Sequence, residues 1–358
     1  MAQAKAEENE TGLTKDFKKL GRNLRESARE RNSEAARINR RGLGVLYRKE
    51  LTDHLESTRF QILFVLFAVV TAFALNGAIS SLASTAQQTS DGKTAVSEFL
   101  FLRIFTTSGN NVFSFSTFVG FLGPIIGIML GFDAVNEELA QGTLNRLAAQ
   151  PIYRDTILIA KFLAGATVIA LTVFSLGGWM VGIALIRTGL VLSGEQVARI
   201  VVWFLMATLY MCLWLAMAEF FSVVCRHAAT SALWCIALWL VLLLFMSIIA
   251  SAIAGWIFPT TGYYAQINTF RNYALQLGIN RISPYYIFSE ITTILLNPNV
   301  STTNIVSLLQ SSEGAIASYL TFGQSMLQIW PHIVCLLAET AAFFAAAYIC
   351  FMNREIRA

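Results

Sequence analysis

The sequence predicts an all-α integral membrane protein with six transmembrane helices, and three observations predict it. Its 358 residues are 55% hydrophobic and only 13% charged, with a mean hydropathy of +0.58, far from the balance of a soluble globular chain. Six apolar stretches reach the roughly 20 residues that a bilayer core requires. The charge is also segregated, with 13 of the 26 Lys and Arg in the first 50 residues. The chain reads as a membrane protein with a charged N-terminal extension.

Residues 1–42 mix 11 basic with 7 acidic residues and hold almost no large apolar ones. Such a segment cannot bury enough surface to fold alone, although Leu20–Arg40 has the composition of a solvated helix. A cytosolic tail is the plainer reading. Attraction of Arg37, Arg40 and Arg41 to anionic headgroups is the sharper one. From Leu43 to Ser57, Leu43, Val45, Leu46, Leu51 and Leu55 alternate with Arg48, Lys49, Glu50 and Asp53. That pattern predicts an amphipathic helix over 43–57 lying in the cytoplasmic interface.

The remainder, 58–358, carries the spans, placed near Phe60–Ile79, Val112–Phe132, Ile157–Ile186, Val197–Val224, Ala228–Phe258 and Trp330–Met352. The third and fifth exceed one bilayer crossing and must tilt or project. The first apolar run begins only after about sixty residues, so the first span is expected to act as an uncleaved anchor. Arg48, Lys49 and Arg59 precede span one, Arg146, Arg154 and Lys161 lie between spans two and three, and Arg354 and Arg357 follow span six. This bias places both termini in the cytoplasm of a cell that carries the protein in its inner or plasma membrane.

Within the spans, Gly123, Gly127 and Gly131 recur every four residues, with Gly120 and Pro124 beside them. Glycines so spaced make a flat stripe on which another helix packs closely, and proline is tolerated there when neighbours satisfy the freed carbonyl. Span three has a shorter version at Gly178 and Gly182. Charges inside spans point to function. Lys161 lies one turn into span three and Glu219 about two turns from the end of span four, depths at which the two can pair. Glu339 lies deeper in span six, with His332 nearer the outer end, and is the better candidate for lining a polar pathway.

The outer segment 259–328 is the largest part expected outside the lipid. Ser283–Pro298 begins with proline and runs as a mostly apolar helix to Asn297-Pro298, and Gly314–Ile329 reads as a second helix leading into span six. Such helices must cover something, which suits an external lid.

Catalytic patterns are missing from the sequence. There is no Gly-x-x-x-x-Gly-Lys-Ser/Thr phosphate loop, no Gly-x-Ser-x-Gly elbow and no His-Glu-x-x-His helix, so no catalytic residue is assigned and ATP hydrolysis is not expected of this chain. The five cysteines and three histidines lack metal-ligand spacing, so no metal is expected. The mixed-charge tail carries no nucleic-acid footprint.

Between spans two and three runs a polar, helix-forming insert, Asn136-Glu-Glu-Leu-Ala-Gln-Gly-Thr-Leu-Asn-Arg-Leu-Ala-Ala-Gln-Pro151, followed by Arg154 and Lys161. It is longer than a turn requires. The insert resembles the signature of ABC-2 type transporter permeases, in the subgroup that includes the nitrous-oxide maturation permeases. Glu138, Gly142, Thr143, Leu144, Pro151, Arg154 and Lys161 occupy the signature positions, and Asn145 stands where many members carry a second acidic residue. The resemblance covers the plan from about residue 43 onwards.

It implies a cytoplasmic coupling helix over 137–150 that docks on a separate cytosolic ABC ATPase subunit, where ATP and Mg are held. Glu137 and Glu138 would favour its N-terminus, Leu139, Leu144 and Leu147 would make an apolar contact, Gly142 would permit close approach, and Arg146 would flank them. It further implies a second permease chain, identical or related, and export by alternating access. Two other classes remain alternatives: an ion-coupled secondary transporter using Glu219 and Glu339, which should show paired repeats with broken helices, and a membrane enzyme or scaffold, which should show a catalytic pair at one depth.

Overall fold

The computed structural model describes residues 42–88, 100–108, 113–143, 153–261, 265–297 and 320–354. Those residues are overwhelmingly helical and contain no strand. Six helices are long and apolar enough to cross a membrane: Thr58–Ala83, Phe115–Ala140, Arg154–Thr188, Gly194–Val224, Ala228–Ile257 and Phe322–Asn353. They define a near end, where residue 42 and Asn353 lie, and a far end, where the longest outer connection begins.

In chain order the elements are α1 (42–56), α2 (Thr58–Gln88), α3 (Leu100–Thr106), α4 (Phe115–Gly131), α5 (Asn136–Ala140), α6 (Arg154–Thr188), α7 (Gly194–Val224), α8 (Ala228–Leu240), α9 (Met246–Ile257), α10 (Ala265–Asn280), α11 (Pro284–Leu296) and α12 (Phe322–Asn353). A π-helical turn at Val241–Phe245 joins α8 to α9 within the fifth span. Ser193 with Gln196, and Thr321 with Gln324, form reciprocal capping boxes that start α7 and α12. Gly189, at φ 65°, closes α6 in the left-handed conformation that a glycine adopts without penalty.

Helix α7 is the hub. It packs on α4, α6, α11 and α12, and Trp203, Tyr210, Trp214 and Leu215 on it are all but fully buried. The glycines of α4 face it. A Cβ on Gly127 would sit 2.5 Å from the Met211 carbonyl oxygen, and one on Gly131 2.8 Å from the Ala218 Cβ. A Cβ on Gly123 would meet the end of Met211, and one on Gly120 would press on Tyr285 and Phe288 of α11. The α4 backbone thus touches α7 directly, which the missing side chains permit. Helix α4 runs through Pro124 without interruption. Gly178 and Gly182 differ: nothing lies within 4 Å of a Cβ added to either, and Gly165 and Gly177 are the glycines by which α6 meets α7.

The outer segment does not stay outside. Helix α10 packs along α9 and starts beside its end, with Asn272 Nδ2 donating to the Phe258 carbonyl (2.9 Å). The chain turns at 281–283, where Ser283 Oγ donates to the Leu242 carbonyl (2.7 Å) in the π turn, halfway along the fifth span. Helix α11 then climbs back antiparallel to α7. Phe288 stacks on Tyr210 at 4.6 Å and 7°, Thr292 Oγ1 accepts from Trp203 Nε1 (2.9 Å), and the Leu295 carbonyl accepts from Arg199 (3.2 Å). Tyr210 is 16 residues into α7, about 24 Å along it. The expected external helix is therefore a re-entrant one, and its apolar residues fill the bundle rather than lie over it. Backbone at that depth is tolerated because protein surrounds it.

Residues 322–329, expected to belong to a separate outer helix, form the first turns of α12, which starts at the Thr321 cap and continues through Pro331. Residues 314–319, as well as residues 1–41, lie outside the described residues.

Candidate functional site

At the near end the polar insert meets α1 and α6. Lys161 Nζ, with a side chain 6% exposed, lies 2.9 Å from Glu50 Oε2 and 2.9 Å from Glu138 Oε1. Lys49 Nζ lies 2.9 Å from Glu50 Oε1, 3.2 Å from Asp53 and 3.7 Å from Glu138. Two ammonium groups thus knit three carboxylates from the interfacial helix and the insert to the third span. Burial works against charge on Glu50, yet Lys161, together with hydrogen bonds from Lys49 and Lys161, holds its carboxyl below the usual range. Burial also opposes charge on Lys49, but Glu50, Asp53 and Glu138 outweigh it and push its ammonium upward. His54, one turn beyond Glu50, is pushed down, mainly by burial.

This arrangement corrects the expected partner of Lys161: the ion pairs run to Glu50 and Glu138 rather than Glu219. Glu219 is 1% exposed, and its Oε2 has no hydrogen-bond partner among the described residues. It faces the close approach of α4, with Gly131 against its main chain. Glu339 is half-buried, its Oε1 contacted by the Cys335 thiol at 3.8 Å while Oε2 has no partner among the described residues.

The insert is also bolted to its neighbours by its first turn. Ser222 Oγ on α7 accepts from the main-chain N–H groups of Val135 (2.9 Å) and Asn136 (3.2 Å), capping α5 from another span. Arg59 Nη1 on α2 lies 2.7 Å from Asp133. Beneath these contacts Leu46, Val135, Ile157, Leu158, Val223 and Phe351 form an apolar cluster of their own.

The single helix expected over 137–150 is interrupted. Helix α5 ends at Ala140, Gln141 and Gly142 turn, and Gly142 takes φ 68°, a conformation that favours glycine. The reason is local: Thr143 Oγ1 donates to the Glu138 carbonyl (3.2 Å), closing the chain back on α5. Leu139 is partly buried and packs on the near-end apolar cluster. Glu138 turns inward to Lys161, whereas Glu137 is exposed and accepts from Gln141 Nε2 (3.1 Å). Arg154 opens α6 and is half-exposed. Leu144, Arg146, Leu147 and Pro151 lie outside the described residues.

Sequence reasoning missed Glu50 as a functional residue, although a signal was present: it lies four residues after Leu46, on the same helix face, and both are buried. It also missed two further clusters, one at the far end and one deeper in the bundle. Arg199, fully buried, binds Glu195, the Leu295 and Leu320 carbonyls and Ser325 Oγ. Glu290 on α11 is held by Arg281 (2.9 and 3.1 Å) and by His332 of α12 (2.7 Å).

Among the described residues no group of three or more His, Cys, Asp or Glu side chains is placed to hold a metal ion. Six apolar spans, a re-entrant hairpin and a polar insert welded to an interfacial helix define a multi-pass helical membrane protein with an elaborated near face. Residues 45–356 match the family described as ABC-2 family transporter protein, and the chain belongs to that family. It is 30% identical over 148 residues to the probable ABC transporter permease protein NosY of Stutzerimonas stutzeri, across 41% of this chain and 47% of that protein. The matched part thus spans about half the length of this curated relative.

Proposed function

We propose that the chain is the membrane-spanning permease subunit of an ABC exporter. It pairs with a second permease chain, and a separate cytosolic ATPase holding ATP and Mg drives it by alternating access. In this reading the near end faces the cytoplasm, and the insert that begins at α5 receives the ATPase. Family membership supports the class, and the permease named among the relatives supports the division of labour.

The observation that carries the mechanism is the double ion pair of Lys161. A push on the insert is delivered through Glu138 to span three, and through Glu50 to the interfacial helix, as one rigid unit. Ser222 and Arg59 extend the tie to spans four and one. ATP binding favours the closed ATPase pair, and that preference reaches the spans only through contacts that move together. Glu137, the exposed acidic residue of α5, is the side chain of this turn left to meet the partner, while Glu138 transmits from inside.

The test is co-purification of the tagged chain from native membranes in mild detergent. A stoichiometric soluble partner with a phosphate loop and vanadate-sensitive ATP hydrolysis is the expected result. A chain that purifies alone, from membranes in which known complexes survive, overturns the reading.

A further inference from the structure

The fifth span is made of two helices with different neighbours. Helix α8 packs on α7 and α4, whereas α9 packs on α10, and α10 in turn packs on α9. The α9–α10 pair is fastened internally. Asn272 Nδ2 donates to the Phe258 carbonyl (2.9 Å) and Asn268 Nδ2 to the Pro259 carbonyl (3.0 Å). Ala250 and Ala254, one turn apart on α9, are fully buried, as small residues at a close helix contact are. Yet the pair stands apart from the bundle. Among the described residues none from 246 to 282 belongs to the main apolar core, which passes from Leu243 directly to Ile287.

Both ends of the pair meet at one depth. Helix α9 leaves the π turn at Val241–Phe245, none of whose five residues is fully buried, and α10 ends in the turn at 281–283. Ser283 Oγ donates to the Leu242 carbonyl (2.7 Å) and so joins the two ends. This base is anchored in the bundle. Arg281 grips Glu290 of α11, which His332 of α12 also holds, and α11 packs on the π turn. Bends in a helix concentrate at such turns, where the α ladder is interrupted. A two-helix unit that is rigid within, outside the core and held at its base has one soft motion, rotation about that base.

We propose that α9 and α10 are a rigid flap that swings about this mid-membrane base, and that the Ser283 bond, which spans both hinges, sets its resting angle. In the exporter reading, on which this role rests, the flap stands at the end from which cargo leaves, so its swing gates release there. Ser283 is then a positioning residue, which acts through the Leu242 carbonyl.

Double electron–electron resonance on the full chain in lipid nanodiscs tests this. Keto-bearing residues introduced at Ile267 on α10 and Leu327 on α12, both exposed, carry the nitroxides and leave the native cysteines in place. Two distance populations are expected, whereas a second pair at Ile249 and Ile267, both within the flap, should give one narrow distance. Ser283→Ala should raise the minor Ile267–Leu327 population about fivefold, the worth of one ordinary hydrogen bond. Ser283→Thr, which keeps the hydroxyl, should restore the parent ratio. Should Ser283→Ala fail to insert, the two distances of the parent decide. A single Ile267–Leu327 distance, or a population unmoved in Ser283→Ala, overturns the flap. So does a broad Ile249–Ile267 distance, which would mean that α9 and α10 part. Adding the co-purified ATPase with ATP and vanadate should move the parent toward its minor population, and a bound ATPase that leaves the distances unchanged overturns the gating role. Because the first distances are read on the chain alone, loss of the ATPase fails the exporter reading, and a fixed flap fails this one.

Discussion

At the near end Lys161 is held by carboxylates from two other segments of the chain, whereas at the far end Arg199 combines one carboxylate of its own helix with two main-chain carbonyls and a hydroxyl from distant segments. Both cations are buried, at 5% and 0% exposure, and both join elements distant in sequence. The near-end tie is made of side-chain charges, so its strength changes with protonation and with substitution of either partner. The far-end tie spans Glu195, two carbonyls and a hydroxyl, and its two carbonyl contacts hold the end of α11 and the start of α12 through the main chain. A tie that passes motion between segments suits the first design, and a fixed anchor for a re-entrant hairpin suits the second.

The largest effect is expected at Lys161. Lys161→Ala leaves the buried Glu50 and Glu138 with only the half-exposed Lys49 as a cation and should cost up to about 3–5 kcal/mol, read as a fall in the detergent melting temperature. Lys161→Arg, which keeps the cation between Glu50 and Glu138, should recover part of that loss. No recovery would show that geometry, not charge, holds the insert.

Arg199→Lys should lose about 2–3 kcal/mol, because one ammonium cannot reach the acceptors that the guanidinium fork spans and leaves buried carbonyls unpaired. No partner substitution should rescue it. A melting temperature equal to that of the parent would remove the proposed contrast between the two ends.

Acid separates the ends next. Glu50 is held below its ordinary 4.5, so in the unfolded chain it takes up a proton first. Its contribution is present above that value and is lost as pH falls through the folded value. His54 is depressed from 6.5, so the unfolded chain gains a proton that the folded one refuses, and stability already declines below about pH 6.5. Lys49 is raised from 10.5, so its contribution is complete below that value and disappears only in strong alkali. Melting temperature against pH should therefore fall on the acid side, and the fall should flatten in Glu50→Gln.

The smallest effects compare glycines. Gly127→Ala drives a Cβ against the Met211 carbonyl at 2.5 Å and should cost about 1–3 kcal/mol. Gly182→Ala meets nothing and should stay within about 0.5 kcal/mol. Equal effects would mean that the span-two stripe is not a close contact.

Much of this protein is legible in its sequence. Apolar length fixes the spans, because a bilayer tolerates few alternatives to a helix of about 20 residues. The insert between spans two and three carried enough of a signature to point to the family, and the match over residues 45–356 bears that out. Pro284 and Asn297-Pro298 bounded α11 correctly, since proline starts helices and stops them for reasons within one turn.

The course of α11 was not legible, because an apolar helix looks the same over a bundle as inside one. The partner of Lys161 was not legible either. Depth alone allowed Glu219, and only the fold of the insert brought Glu138 within reach, while α1 supplied Glu50 from 111 residues away. Gly142 was read as a surface for a partner, yet its backbone is required by a turn. The sequence by itself determined how many stretches are long and apolar enough to cross a membrane, which family the chain joins and where α11 starts and stops, because these depend on length, composition and local caps. Tertiary structure alone decided which buried charges meet and which apolar helix turns inward, because those outcomes depend on which side chains compete for the same space.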